Sequence, residues 1–198
     1  MEAVNDGYTD LPPGKLAAVV TYLEMRAPQP ASVSTTMSEF ATRREEKPDL
    51  DWYRSLFRDI GGPWLWFGRL RMTDDELRAV LHHPEIDVFV LSHNGVDGGL
   101  LEFDRRHIPD IEISYFGVAP ALFGKGAGRA LLEHCLPLAW AHRPNRIWLH
   151  TCTLDHPRAL EFYRKAGFVP YKRSVEIADD PRVAGVLPRG AAPEVPIL

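Results

Sequence analysis

The chain has 198 residues, 45% of them apolar and 25% charged, with a formal net charge of −4. This length suits one domain with a sizeable core, and the balance is that of an ordinary globular protein. The negative charge gives no electrostatic reason to expect nucleic acid or an anionic membrane as partner, and no apolar run approaches the ~18 residues that span a bilayer. Cys135 and Cys152 fall in segments patterned as helix and buried strand, so reduced core thiols are expected rather than a disulfide. The acidic start, Met1 to Asp6, lacks the basic-then-apolar pattern of a signal peptide, and a cytoplasmic location is expected.

Residues 1–14 read as a flexible lead-in ending in Leu-Pro-Pro-Gly. Leu16–Met25 has the Val, Thr and Tyr content of a strand, with a helix as the open alternative. Thr36 and Glu39 have capping-box spacing, which predicts a helix that stops before Pro48. A second helix is expected from about Leu50 to Ile60, ended by a left-handed residue at Gly61-Gly62. Thr73 and Glu76 form another capping box, opening a short helix through about His82. Ile86–Ser92 and Val96–Asp104 read as strands of a hairpin, because Asn94-Gly95 accepts the positive φ of a tight turn. Asp110–Val118 follows as an antiparallel strand. A helix over Ala127–His142 contains Pro137, which should bend it. Arg146–Thr153 is a strand, and Asp155 is placed to cap a helix with Pro157 in its first turn. Gly167 closes that helix and Phe168–Ile177 is a last strand. The Pro-, Gly- and Ala-rich tail, 178–198, should be irregular or wrapped on the surface.

The most informative segment runs from Ile111 to Leu132: strand, turn, a loop with Gly124, Gly126 and Gly128, then a helix. Glycines there let the backbone approach a ligand, and the helix start adds the positive end of its dipole. Lys125 and Arg129 add charge, so the junction suits a phosphate. The nucleotide P-loop pattern is absent, since Lys125 is followed by Gly126. The dinucleotide fingerprint also fails, because Leu131 stands at its third glycine.

The order of elements, with Phe123-Gly-Lys-Gly-Ala-Gly128 and the stretch from Ala159 through Phe162-Tyr163 to Gly167-Phe168, resembles the GNAT superfamily of acyl-CoA-dependent N-acetyltransferases. The match is strongest over 85–177, within a single domain spanning 15–177. Phe123 stands where that family usually has Gln or Arg. The resemblance implies an α/β (α+β) fold with a mixed sheet splayed at its middle, flanked by helices, and acetyl-CoA in the cleft. It implies that Phe116, Gly117 and Val118 hold the pantetheine arm. Phe123, Gly124, Lys125, Gly126, Ala127, Gly128 and Arg129 would hold the pyrophosphate. Asp155, Ala159 and Phe162 would complete the cofactor contacts, although the family often has Asn at the position of Asp155.

Acetyl transfer to a primary amine needs a base for the amine proton and a donor for the departing thiolate. The resemblance places the general acid at Tyr163, whose phenol holds its proton at neutral pH. It places the base at Glu112, with Glu102, His107 and water as fallbacks. Strict alternation puts Glu112, Ser114 and Phe116 on one strand face and Ile111, Ile113 and Tyr115 on the other. No metal is expected, since His82, His83, His150 and His156 lack ligand spacing with a second Cys/His pair. The acceptor is expected to be a small amine rather than a basic peptide. Trp52, Tyr53, Phe57, Trp64, Trp66 and Phe67 are candidate lining with Asp49, Asp51 and Asp59 as charges, although core packing suits most of these aromatics. A homodimer is compatible with the sequence, which fixes no oligomeric state. The rival reading is a non-catalytic acyl-CoA-binding module on the same fold.

Overall fold

The computed structural model describes residues 6–29 and 39–198. Strands β1 (Lys15–Met25), β2 (Phe40–Glu45), β3 (Ile86–His93), β4 (Val96–Asp104), β5 (Asp110–Val118), β6 (Arg146–Cys152) and β7 (Val169–Asp179) form one mixed sheet. Their order is β2-β3-β4-β5-β6-β1-β7. Neighbours from β2 to β5 are antiparallel, β5 and β6 are parallel, and β1 runs antiparallel to both β6 and β7. Among the described residues the α-helices are α1 (Leu50–Gly61), α2 (Asp74–Leu81), α3 (Ala127–Trp140) and α4 (Ala159–Lys165).

Each sheet face buries one helix pair. Tyr53, Leu56, Phe57 and Ile60 of α1 and Leu77 and Leu81 of α2 pack on Val88, Val90 and Leu100. On the other face Leu131, Leu132, Cys135 and Ala139 of α3 and Tyr163 of α4 pack on Leu23, Leu91, Leu101, Phe103, Ile111 and Ile147. Each large apolar side chain taken from water this way contributes about 1.5–3 kcal/mol, which far exceeds the local helix propensities.

Several local signals act as read. Asn94 and Gly95 turn the β3–β4 hairpin with φ of 52° and 77°. In the Thr73 capping box, the Glu76 N–H donates to Thr73 Oγ1 at 3.3 Å and the Thr73 N–H donates to Glu76 Oε2 at 2.8 Å.

Others are overruled. Residues 40–45 are strand β2, paired along β3, rather than the end of a helix; Thr36 itself lies outside the described residues. Gly61 and Gly62 both keep right-handed backbone, and the chain runs on through a 3-10 turn at Gly62–Trp64 to a left-handed residue at Leu65, φ 56°. Gly61 is needed for space instead: a Cβ there would sit 2.4 Å from the Trp66 ring. Asp155 does not cap α4, whose first turn lacks a side-chain cap. The tail from Asp180 agrees with its reading: it is irregular, made of turns and bends, and is wrapped onto the domain. Arg182 and Asp180 form a buried pair at 2.7 Å, and Arg182 also donates to the carbonyls of Ala191, Ala192 and Val195. Leu187 and Ala192 then pack on Leu16 and Leu65.

Candidate active site

The opening lies between β5 and β6. Their parallel pairing covers four rungs, from Asp110 opposite Arg146 to Ile113 opposite Leu149, and then stops. The Ala119 N–H donates to the Gly98 carbonyl at 2.7 Å, so alternation also turns Gly117 and Tyr115 toward β4. Phe116 and Val118 therefore direct their main-chain N–H and C=O groups into the opening. Those are the groups an extended amide-bearing arm needs. Gly117 is required for close packing, because a Cβ there would lie 2.7 Å from Ile60 Cγ2 and 3.1 Å from the Trp66 ring.

Beyond the strand, Gly124 and Gly126 hold φ of 73° and 82°, and Gly126 is the N-cap of α3 without any capping side chain. The first intrahelical bond is Ala130 N–H to Gly126 O at 2.9 Å, which leaves the amides of Ala127 and Gly128 without a helical acceptor. Buried Ala127 and an exposed Lys125 complete a concave run of donors with positive charge beside it. This donor set fits a diphosphate. Arg129 is committed in part to Glu133, 2.8 Å away. Gly128 is roomier than expected, since an added Cβ would make only ordinary contacts with Phe116 and Phe162 at 3.6–3.8 Å. Phe123 meets His156 edge-on at 5.1 Å between ring centroids, and Trp64 lies 6.4 Å from it. An aromatic anchor thus leads into the loop.

A β-bulge overturns the face assignment along β5. Tyr115 pairs with Glu102, but Ile113 pairs with Phe103, so Ser114 is an extra residue. The phase slips there by one. Glu112, Tyr115 and Gly117 share the α1 face, while Ile111, Ile113, Phe116 and Val118 belong with α3 and α4.

Glu112 is half-buried near Asp104, Arg69, His107 and Arg106. Burial, reinforced by the Asp104 carboxylate, pushes its pKa above the ordinary range, which makes it a stronger base. Glu102 is fully buried and bonded to the Tyr53 hydroxyl and, at 2.9 Å, to the Arg69 guanidinium. Burial pushes it up to about 8. With its oxygens engaged by α1 and Arg69, it supports the site rather than meeting a ligand. Arg69 in turn lies 5.0 Å over the Tyr115 ring. His107 is exposed on the β4–β5 connection.

Tyr163 lies on the opposite face. Its ring contacts Phe116, Phe162 and Phe168, at centroid distances of 5.9, 5.5 and 6.2 Å. The hydroxyl makes no hydrogen bond among the described residues. Burial, then the Asp155 carboxylate, pushes the phenol well above its usual pKa, so it stays protonated. Phe162 stacks on Phe116 at 5.4 Å, which fixes α4 against the open rungs of β5. Ala159, in the first turn of α4, packs against the same cluster. Asp155 accepts from Thr151 Oγ1 at 2.7 Å, from the Cys152 N–H at 2.8 Å and from the Trp66 indole at 3.2 Å. It therefore links the turn beyond β6 to Trp66, which also packs against Tyr115 across the opening.

Of the proposed acceptor lining, Tyr53 and Phe57 are core, and Asp49 is the N-cap of α1. Asp51 and Asp59 are exposed on that helix. The residues missed are Tyr22, Ser174 and Glu176, which gather around His150. They line a hollow of about 430 Å³ on the same sheet face as Glu112. Only the insertion of β1 between β6 and β7 assembles them, and no local sequence signal announces it. Both thiols are poor nucleophiles, burial having pushed Cys152 up to about 11 and Cys135 further.

The β5–β6 pair thus parts beside a glycine loop and helix start, within a seven-stranded mixed sheet that carries helices on both faces. A family model described as the acetyltransferase (GNAT) family matches residues 39–168, and the chain belongs to that family. A mycothiol acetyltransferase of Kineococcus radiotolerans is 37% identical over 114 residues, covering 57% of this chain and 37% of the relative. A streptothricin acetyltransferase of Streptomyces lavendulae is 35% identical over 83 residues, covering 37% of this chain and 41% of that one. The chain thus spans well under half the length of either. Among solved structures, a GCN5-related N-acetyltransferase from Sphaerobacter thermophilus superposes with TM-score 0.60 at 17% identity, over 85% of this chain and 52% of the other. No described helix is long and apolar enough to cross a membrane.

Proposed function

We propose that the protein is an N-acetyltransferase that moves the acetyl group of acetyl-CoA to a primary amine of a small acceptor by direct attack within a ternary complex. The observation that carries this is the opening of β5 and β6 past Ile113 and Leu149, with Phe116 and Val118 facing it and the glycine loop at its end. Acetyl-CoA supplies an activated thioester. The amides of Ala127 and Gly128, with Lys125, are the groups for its diphosphate, and Phe116 and Val118 are those for its amide arm. Glu112 takes the proton of the attacking amine, directly or through water. Tyr163 gives its proton to the departing sulfur. The raised thiol pKa values of Cys135 and Cys152 favour direct transfer over an acyl-enzyme.

Acceptor recognition follows from charge. Glu112 and Glu176 share one sheet face with Tyr22, Trp148 and His150; Arg69, Arg106 and His107 lie near Glu112, but neither carboxylate forms a direct ion pair among the described residues. That face suits an amine that arrives as a cation with an apolar body. The test is release of free thiol from acetyl-CoA across a panel of mono- and polyamines, amino acids and peptides, together with calorimetry of coenzyme A binding. The reading expects cofactor uptake and amine-dependent thiol release. Well-folded protein that takes up no cofactor at millimolar concentration overturns it.

A further inference from the structure

We infer that β7 is a dimerisation strand, pairing antiparallel with β7 of a second copy of this chain in a register centred on Ser174.

The strand is an edge. Among the described residues it pairs only with β1. It is also unusually apolar for an edge: Val169, Tyr171, Val175 and Ile177 are 62%, 42%, 57% and 56% exposed, and Val19, opposite Val175, is 42% exposed. Such an edge is a template for another strand, and specific pairing needs a register that its own residues select.

Two independent observations select one. The first is hydrogen-bond phase. The Val19 N–H donates to Thr153 Oγ1 and the Val19 carbonyl accepts from the Thr153 N–H, both at 3.1 Å, so Val19 is turned toward β6. Alternation turns Val20 to β7, where it faces Ser174. Ser174 is therefore turned inward, and Arg173, Val175 and Ile177 direct their N–H and C=O groups out to solvent. Asp179 follows the same phase, and its carbonyl already accepts from Arg71 Nη2 at 2.8 Å. A two-fold pairing must set outward residues opposite outward residues, so its axis falls on a residue and never between two.

The second observation is charge. With the axis at Ser174, Lys172 faces the second copy's Glu176, and by symmetry this ion pair forms twice. Arg173 meets Val175; Tyr171 is an extra residue of β7, since Tyr22 pairs with Lys172 and Leu23 with Pro170, so the regular register runs from Lys172 onward. With the axis at Val175, Lys172 meets Ala178; at Arg173, Glu176 meets Pro170. Neither alternative pairs the charges, and an axis at Glu176, which would set Arg173 opposite Asp179, also sets Glu176 against its own copy and calls on an Asp179 already paired with Lys15 at 2.5 Å. Within the chain, Lys172 lies over the Tyr22 ring at 4.5 Å, and neither it nor Glu176 has an ion-pair partner among the described residues.

The pairing also completes the site. The hollow of about 430 Å³ beside Tyr22 and His150 is bounded on one side by Ser174, Val175, Glu176 and Ile177. A second β7 beyond that edge walls its open flank, so each copy lends the other a side of the acceptor region. The opposing view is that Pro170 and Lys172 guard the edge against any pairing, as such residues do elsewhere. It predicts a monomer.

Sedimentation equilibrium on the full chain separates the two. The expected mass is twice 22.4 kDa for the native chain. Lys172→Glu and Glu176→Lys each place like charges opposite one another and should weaken the dimer by about tenfold or more, since both ends of the two-fold are affected. The double variant Lys172→Glu/Glu176→Lys restores the dimer, and so does mixing the two single variants, which pair only with each other. Circular dichroism establishes that each variant is folded. A native monomer at micromolar concentrations overturns the inference, as does a dimer indifferent to all these changes or a larger assembly that the charge swaps do not alter. Thiol release is not the readout, so failure here leaves the acetyltransferase reading standing.

Discussion

On the α1 side of β5, Glu112 sits among Asp104, Arg69 and Tyr115; on the α4 side, Phe116 stacks on Phe162 and touches Tyr163. Both faces lead to the same opening, and on both, burial raises a pKa. Burial of a carboxylate disfavours its anion, so Glu112 binds a proton more strongly when it takes one. Burial of a phenol disfavours the phenolate, so Tyr163 keeps its proton until an anion forms beside it. One physical cause thus raises proton affinity on both faces, at a carboxylate on one and at a phenol on the other.

The sharpest way to break this comparison is Tyr163→Phe, which keeps the aromatic packing and removes the donor. Turnover in single-turnover assays should fall by roughly a thousandfold with coenzyme A affinity unchanged. Equal turnover would make the tyrosine a packing residue. Next comes Glu112→Gln, expected to lower kcat/KM by about a hundredfold. The pH profile supplies the sign: kcat/KM of the native enzyme rises as pH passes up through the raised Glu112 pKa and its carboxylate loses its proton. The Gln variant should lose that limb and keep only the limb due to the amine.

Gly126→Ala tests the shared loop rather than either face. Forcing a Cβ onto φ 82° costs about 1–2 kcal/mol, read as roughly tenfold weaker coenzyme A binding by calorimetry. The smallest effect belongs to Asp155→Asn. An amide has one accepting oxygen where the carboxylate uses two, so about 1 kcal/mol of stability should go in urea unfolding.

Much of the β3–β5 meander was legible. The Asn94-Gly95 turn and the Thr73 capping box are short-range devices whose partners lie within four residues, so spacing alone reveals them. The glycine loop was legible for the same reason. Glu112 and Tyr163 were found through the family resemblance, and their roles await the variants above. The face that Glu112 occupies was misread, because strict alternation has no way to register an extra residue at Ser114. That bulge is a property of the β4–β5 ladder, in which Glu102 meets Tyr115 while Phe103 meets Ile113. Phe40–Glu45 was misread as helix because its pairing with β3 outweighs a helix-start signal upstream.

Asp155 illustrates the boundary well. As a sequence position it is a good helix cap; in the fold, Trp66 and the end of β6 hold its oxygens first.

The sequence by itself determined the hairpin, the glycine-loop-to-helix junction and the helical spans of α1 and α3, because each depends on residues a few positions apart. Tertiary structure alone decided that the N-terminal strand enters between β6 and β7, that the docked tail closes over Leu16, and that Tyr22, His150 and Glu176 share one hollow. Those outcomes rest on contacts more than a hundred residues apart, such as Val20 opposite Cys152 and Val19 opposite Val175. Their energy comes from burying whole faces together, a quantity no local window of sequence contains.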